Sequence, residues 1–229
     1  CYHYSPEKKN DEDPIKAYTE EMHLGMWLTG KRVEGSWAHA DEQSSFYELK
    51  AYVMNIFTRL GVNPGIVVTE SSDNNVFGKA LALKARSGKV LCEMGIVSHK
   101  LLKKMDIEQE VFYADINWDN MMRTIKKNEV LYHDICKFPS VSRDLALLLD
   151  KNVQFEQIEQ IARQTEKKLL KSVELFDVYE GKNLPEGKKS YAVNFILQDE
   201  ARTLNDKQIE AIMSKLINNL KTKLGAELR

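Results

Sequence analysis

Cysteine is scarce in this sequence. Cys1, Cys92 and Cys136 are odd in number, lie far apart and form no CxxC pair. That argues against a disulfide framework and a zinc ribbon, and for a reducing compartment. His3, His23, His39, His99 and His133 are scattered without metal-ligand spacing, so no metal site is expected and each reads as structural or solvated. No apolar run approaches the roughly 18 residues of a membrane span, and no signal peptide opens the chain. Charge of one sign is also missing: 33 Lys and Arg face 34 Asp and Glu, a formal net charge of -1. Proteins held to nucleic acid by bulk attraction are far more basic, so any such binding must rest on a local surface. An initial Met is absent too. Cys1 opens a polar, charge-dense stretch, CYHYSPEKKNDEDPIKAYTEE, which reads as a loop. The expectation is a piece of a longer polypeptide rather than an enzyme with an N-terminal nucleophile.

What is present suits a soluble chain of two domains. Its 229 residues are 43% apolar and 29% charged, and globular domains cluster near roughly 100–150 residues. MHLGMWLTG (22–30) has the look of a strand closed by Gly30. After a polar loop through Asp41, Ser45 and Glu48 form an S-x-x-E capping box. Leu49, Val53, Ile56, Phe57 and Leu60 then repeat at helical spacing up to Gly61. Beyond Pro64-Gly65 come the strand-like segments GIVVTES, KALALKA, KVLCEMGIV and VFYADIN, separated by turns such as Asp73-Asn74-Asn75 and Ser87-Gly88. A short helix, SHKLLKKM, interrupts them. The boundaries predicted are a first module over 1–128, a linker over 129–137 carrying part of the polar run Lys126-Lys127-Asn128-Glu129, and a second module over 138–229.

The second module is the clearer of the two. Arg143–Asp150 alternates as a strand, and Phe155, Ile158, Ile161 and Ala162 mark a short helix. Val173–Tyr179 and Ser190–Gln198 are further strands joined through EGKNLPEGK. Asn205 caps a long helix whose stripe runs from Ile209 to Leu224 and stops at Gly225; AELR can add a short edge strand. The order β-α-β-β-α-β is the ferredoxin-like arrangement. The fold class expected is therefore α+β, a mostly antiparallel sheet module followed by a ferredoxin-like βαββαβ domain.

Alternation sorts the strand residues onto two faces. Leu145, Leu147, Leu149, Phe176, Val178, Tyr191, Val193, Phe195 and Leu197 are assigned to the face beneath the helices. Asp144, Ala146, Leu148, Leu175, Asp177, Tyr179, Ser190, Ala192, Asn194 and Ile196 are assigned to the open face. An aromatic ring, hydrogen-bonding groups and small residues suit unstacked bases, with Arg143, Lys182, Lys188, Lys189 and Arg202 near strand ends for phosphates. The bland alternative is an ordinary solvated face or one packed on another domain. KSYAVNF (189–195) departs from the RRM signature at Val193 and Asn194, and parity sends Tyr191 and Phe195 to the core, so that reading is rejected.

FPSVSRDLALLLD (138–150), LLKSVELFDVYEG (169–181), LPEGKKSYAVNFILQDEARTLND (184–206) and LGAELR closely resemble the ferredoxin-fold anticodon-binding domain of bacterial phenylalanyl-tRNA synthetase β subunits. GMWLTG, the Ser36-Trp37 loop, FYELKAYVMNIFTRLGV and EMGIVSHKLLKKM resemble, more loosely, the same subunit's class II synthetase-like module. That resemblance implies a sheet that has lost its active site. The chain agrees in lacking an Arg-bearing strand-loop-strand, a late G-x-G-x-x-R and any catalytic constellation, so no catalytic residues are expected. It further implies anticodon contacts at Ala146, Asp177, Tyr179 and Ser190, with phosphate contacts at Arg143, Lys188, Lys189 and Arg202. The implied partners are tRNA(Phe) and an α subunit in a cytoplasmic (αβ)₂ heterotetramer, with neither membrane nor DNA. No cofactor belongs to this segment, whereas ATP and Mg²⁺ serve the parent enzyme. The rival readings are an ACT-like ligand-binding module, which KNVQFEQ after Asp150 disfavours for want of a Gly, and a purely structural role.

Overall fold

The computed structural model describes residues 1–9, 13–62, 67–72, 74–126, 128, 132 and 134–229. Pro64-Gly65, Asp73, Lys127, Glu129 and His133 lie outside the described residues. Two compact units emerge, Cys1–Leu131 and Tyr132–Arg229.

The first unit opens with a structured hairpin where a loop was expected. Strand β1 (Tyr2–Tyr4) pairs antiparallel with β2 (Tyr18–Glu20). Next comes β3 (His23–Thr29), then a second small hairpin of β4 (Lys31–Val33) and β5 (Glu42–Gln43). Helix α1 spans Phe46–Arg59. It is followed by β6 (Val67–Ser72), β7 (Phe77–Ala85), β8 (Val90–Val97), α2 (His99–Lys104) and β9 (Val111–Asn117). Helix α3 (Trp118–Ile125) ends the run, capped by the Asn117 side chain.

The five longer strands form one sheet in the order β3-β9-β8-β7-β6, and every pairing is antiparallel. The apolar stripe of α1, Leu49, Val53 and Phe57, packs on Leu83, Cys92, Met94, Phe112, Ala114 and Ile116. Helix α3 adds Met121 to the same core; the sequence pattern had given this stretch of the first module no element. A smaller cluster of Val97, Leu102 and Val111 forms around α2. The capping box is only half formed. Ser45 accepts the Glu48 N–H, but the Glu48 carboxylate takes the Tyr52 hydroxyl one helical turn on, instead of returning to the cap.

Two features of this sheet set its tolerance to change. At Gly95 a Cβ would lie 2.2 Å from the Lys79 carbonyl oxygen and 2.8 Å from Ala80 Cα. A register shift in β7 between Phe77 and Lys79 lies beside this close approach, next to the Ala80↔Gly95 pair. His23 ties β3 to β9 through Asp115, with Nδ1 2.8 Å from Oδ1, and its Nε2 lies 3.4 Å from Glu21. Burial lowers the affinity of His23 for a proton, but the Asp115 and Glu21 carboxylates together outweigh it and the pKa is raised.

The second unit is built from β10 (Val141–Asp150), α4 (Phe155–Thr165), β11 (Leu170–Tyr179), β12 (Lys188–Leu197), α5 (Asp206–Leu224) and β13 (Glu227–Leu228). Its sheet order is β11-β12-β10-β13. Asn205 and Gln208 close a reciprocal box at the start of α5, and Gly225, at φ 61°, stops it in the left-handed region. Leu147, Leu149, Val193, Phe195 and Leu197 meet Ile158 and Ala162 of α4 and Leu216 and Leu220 of α5 in one core.

The face assignment of β11 needs correction at two residues. Phe176, expected in the core, is 60% exposed, while Leu175, expected outside, packs on the core. A bulge between Leu175 and Asp177 is the reason: Leu175 opposes the core residue Val193, and the next paired residue, Asp177, opposes Ala192. Val178 lies on the expected helix side, opposite Tyr191, but at the sheet edge it stays 48% exposed.

Gly95→Ala should lower stability by about 1–3 kcal/mol, read as a shift in urea midpoint. Gly78→Ala, whose Cβ meets nothing closer than 3.8 Å, is its control. His23 stabilises the fold in its protonated form, so its contribution is full below the unfolded-state pKa and fades as pH rises through the raised folded value. The midpoint difference between the unmodified protein and His23→Gln should therefore be larger at acidic pH than at alkaline pH.

Candidate nucleic-acid interface

Residues directly opposite each other in an antiparallel pair share a face, so register alone builds the helix-free side of the second unit. β10 and β12 pair across ten residues without a shift, from Val141↔Leu197 to Asp150↔Lys188. One row across the sheet is Asp177–Ala192–Ala146. The next is Tyr179–Ser190–Leu148–Glu227. The four residues singled out from the sequence, Ala146, Asp177, Tyr179 and Ser190, thus occupy two adjacent rows. A third row, Glu174–Asn194–Asp144, borders them; there the Asn194 amide donates to Ser142 and Asp144.

The two central rows hold little of their own chemistry in reserve. Among the described residues, no hydrogen bond or ion pair engages the Asp177 carboxylate, which stands exposed, or the Ser190 hydroxyl, which is largely covered. Ser190 is only 5% exposed although no helix covers it. The Tyr179 ring lies directly against Gly181, where no Cβ could be added without moving it. Over the ring lies the guanidinium of Arg229, with Cζ 5.2 Å from the ring centroid. Sequence reading gave Arg229 no part here.

The cations divide by position. Lys188 belongs to the open face and pairs with Asp150 at 3.0 Å. With Lys151 and Lys182, and with the carboxylates Glu180 and Glu186 among them, it lines a shallow hollow of about 400 Å³ beside the turn after Tyr179; Lys151 had not been singled out. Lys189 does not belong with them. It is 6% exposed, and its ammonium bonds the Tyr191 hydroxyl at 2.6 Å on the core side of β12. A phosphate contact from Lys189 is therefore withdrawn. Arg143 opposes Phe195 and leaves the strand on the helix side, bonding the Ser142 carbonyl. Arg202 sits past the far end of β12, 3.4 Å from Asp199.

This arrangement can bind but offers no reacting group. Burial, with Asp115 and Glu93 adding to it, pushes the Cys92 thiol up to about 12, far from a nucleophilic thiolate. Among the described residues no group of three or more His, Cys, Asp or Glu is arranged for a metal ion, and no helix is long and apolar enough to cross a membrane. The open face instead combines an aromatic plane, small residues that permit close approach, unpaired hydrogen-bonding groups and cations at one end. That set fits single-stranded bases, with stacking on the ring and polar readout beside it.

Known proteins align with both units. Residues 4–118 match the family described as the phenylalanyl tRNA synthetase beta chain CLM domain, and residues 136–229 match the ferredoxin-fold anticodon binding domain. The phenylalanine–tRNA ligase beta subunit of Bacteroides fragilis is 58% identical over 229 residues, covering 100% of this chain and 28% of the relative. That of Porphyromonas gingivalis is 51% identical with the same coverage. That of Clostridium acetobutylicum is 35% identical over 186 residues, covering 80% of this chain and 23% of the relative. The chain thus spans about a quarter of the length of these relatives. By the order of its two matched domains and its identity along the whole length, it belongs to the bacterial phenylalanyl-tRNA synthetase β-subunit family and corresponds to the C-terminal region of that subunit.

Proposed function

We propose that this chain holds the anticodon stem-loop of tRNA(Phe) as the β-subunit segment of a phenylalanine–tRNA ligase. The observation that carries the reading is the pair of adjacent rows that gathers Ala146, Asp177, Tyr179 and Ser190 on the helix-free sheet face. Tyr179 stacks on an unpaired base, Asp177 and Ser190 read base edges, and Ala146 with Ala192 leaves room for the base to approach. Lys188, helped by Lys151 and Lys182, stands where the backbone of the loop enters. The acidic neighbours Asp144, Glu174 and Glu227 repel phosphates from the middle of the sheet, which favours bases there.

The chemistry belongs elsewhere in the assembly. An α subunit activates phenylalanine with ATP and Mg²⁺ and transfers it to the tRNA 3′ end. The present segment contributes by orientation: fixing the anticodon restricts where the acceptor end can lie. The first unit, a synthetase-like sheet, serves assembly of a cytoplasmic (αβ)₂ complex.

Binding of the 229-residue chain to the tRNA(Phe) anticodon stem-loop, against a loop-scrambled stem across a salt series, tests the proposal. The cognate loop should bind more tightly. Tyr179→Ala should weaken it by about 5- to 150-fold, from a stacking contribution of roughly 1–3 kcal/mol. Asp177→Ala should erase part of the preference between loops. Equal, salt-sensitive binding to both stems would reduce the face to a phosphate contact, and no binding to either would leave it a packing surface.

A further inference from the structure

Arg229 and Tyr179 arise at opposite edges of the second sheet, on either side of β10 and β12. The Arg229 N–H donates to the Ala146 carbonyl at 3.0 Å, continuing the short pairing of β13 with β10. From there its side chain crosses the open face to lie over the Tyr179 ring. Ser190, on the strand between them, is 5% exposed on a face that no helix covers. The ring offered to a base is thus already in use.

We propose that Arg229 occupies the stacking face of Tyr179 while RNA is absent, and that an arriving base takes this place while the guanidinium moves to the RNA backbone. The inference rests on the anticodon reading above. The exchange is favoured at each end. A cation over this half-buried ring is a modest contact, which a stacked base matches or exceeds. The displaced guanidinium keeps its charge at every accessible pH and its planar fork fits a phosphate. It also has an anchored pivot, because the backbone bond to Ala146 does not depend on the side chain. Until the exchange occurs, the guanidinium keeps the ring from offering a bare apolar plane to other partners.

The test is stem-loop binding by the 229-residue chain carrying Arg229→Ala, Arg229→Gln or Arg229→Lys, measured across a salt series. Thermal unfolding should match the unmodified chain, since the Ala146 bond is kept. Arg229→Ala and Arg229→Gln should bind about threefold to tenfold more weakly at low salt, with the slope of log affinity against log salt reduced by about 0.7, the loss of one phosphate contact to a single strand. Arg229→Lys should keep that slope while binding more weakly than Arg229. An Arg229→Ala chain that binds with unchanged slope, whether equally well or more tightly, overturns the exchange and leaves the guanidinium a mere cover. If the unmodified chain shows no preference for the cognate loop, the anticodon reading fails and this inference with it.

Discussion

The uninterrupted register between β10 and β12 is the constraint on which the second unit depends. Strand side chains alternate with a period of two, so a slip of one residue would carry Val193, Phe195 and Leu197 into water and Ala192 and Ser190 beneath the helices. Each buried aliphatic or aromatic side chain contributes roughly 1.5–3 kcal/mol, and β12 places several of them in the core behind it. The polar contacts on the open face, Asn194 with Ser142 and Asp144 and Lys188 with Asp150, are exposed and weak beside that. The open face is therefore positioned by the apolar packing on its reverse side, and its two central rows carry little structural duty. This freedom is visible in Asp177 and Ser190, which have no partner among the described residues.

β11 shows what it takes to reconcile a core with a site. An unbroken alternation through Val173 and Leu175 would continue to Asp177 and Tyr179 on the same side, putting a carboxylate beneath α4 and α5 or a leucine in water. The extra residue at Phe176 resolves the conflict. Ahead of it the strand feeds the core, and after it the strand feeds the site. The cost falls on Phe176, left 60% exposed. A bulge beside a site that re-aims a side chain is a recurrent use of this irregularity.

Much of this was legible in the sequence wherever one strand or one helix settles the outcome. Ala146 and Ser190 follow from alternation alone, and the α5 boundaries follow from Asn205 and Gly225. Lys189 was legible in principle, because it shares parity with Tyr191 and Val193. Its charge suggested the surface, yet its ammonium found the Tyr191 hydroxyl and its stem joined the core side. The bulge was hidden because LFDVY alternates plausibly in either register, and both assignments bury two apolar residues. Helix α3 was missed because WDNMMRTI is short and fully buries only Met121. The half-formed cap at Ser45 turned on a competitor, Tyr52, four residues beyond the motif. The meeting of Arg229 with Tyr179 spans the full width of the sheet, and no local pattern encodes it.

The irregularity of β11 also bears on what the protein avoids. β11 is the outermost strand of its sheet, with one rim of backbone N–H and C=O groups unpaired by any strand among the described residues and with Phe176 and Val178 exposed beside it. A straight rim of this kind is a template for adding a strand from another copy. Register shifts after Leu170 and again after Leu175 break that rim into short, differently twisted stretches. A second copy would have to reproduce both offsets in order to zip along it. The residue inserted to aim Asp177 and Tyr179 outward thus also guards an apolar margin against self-association.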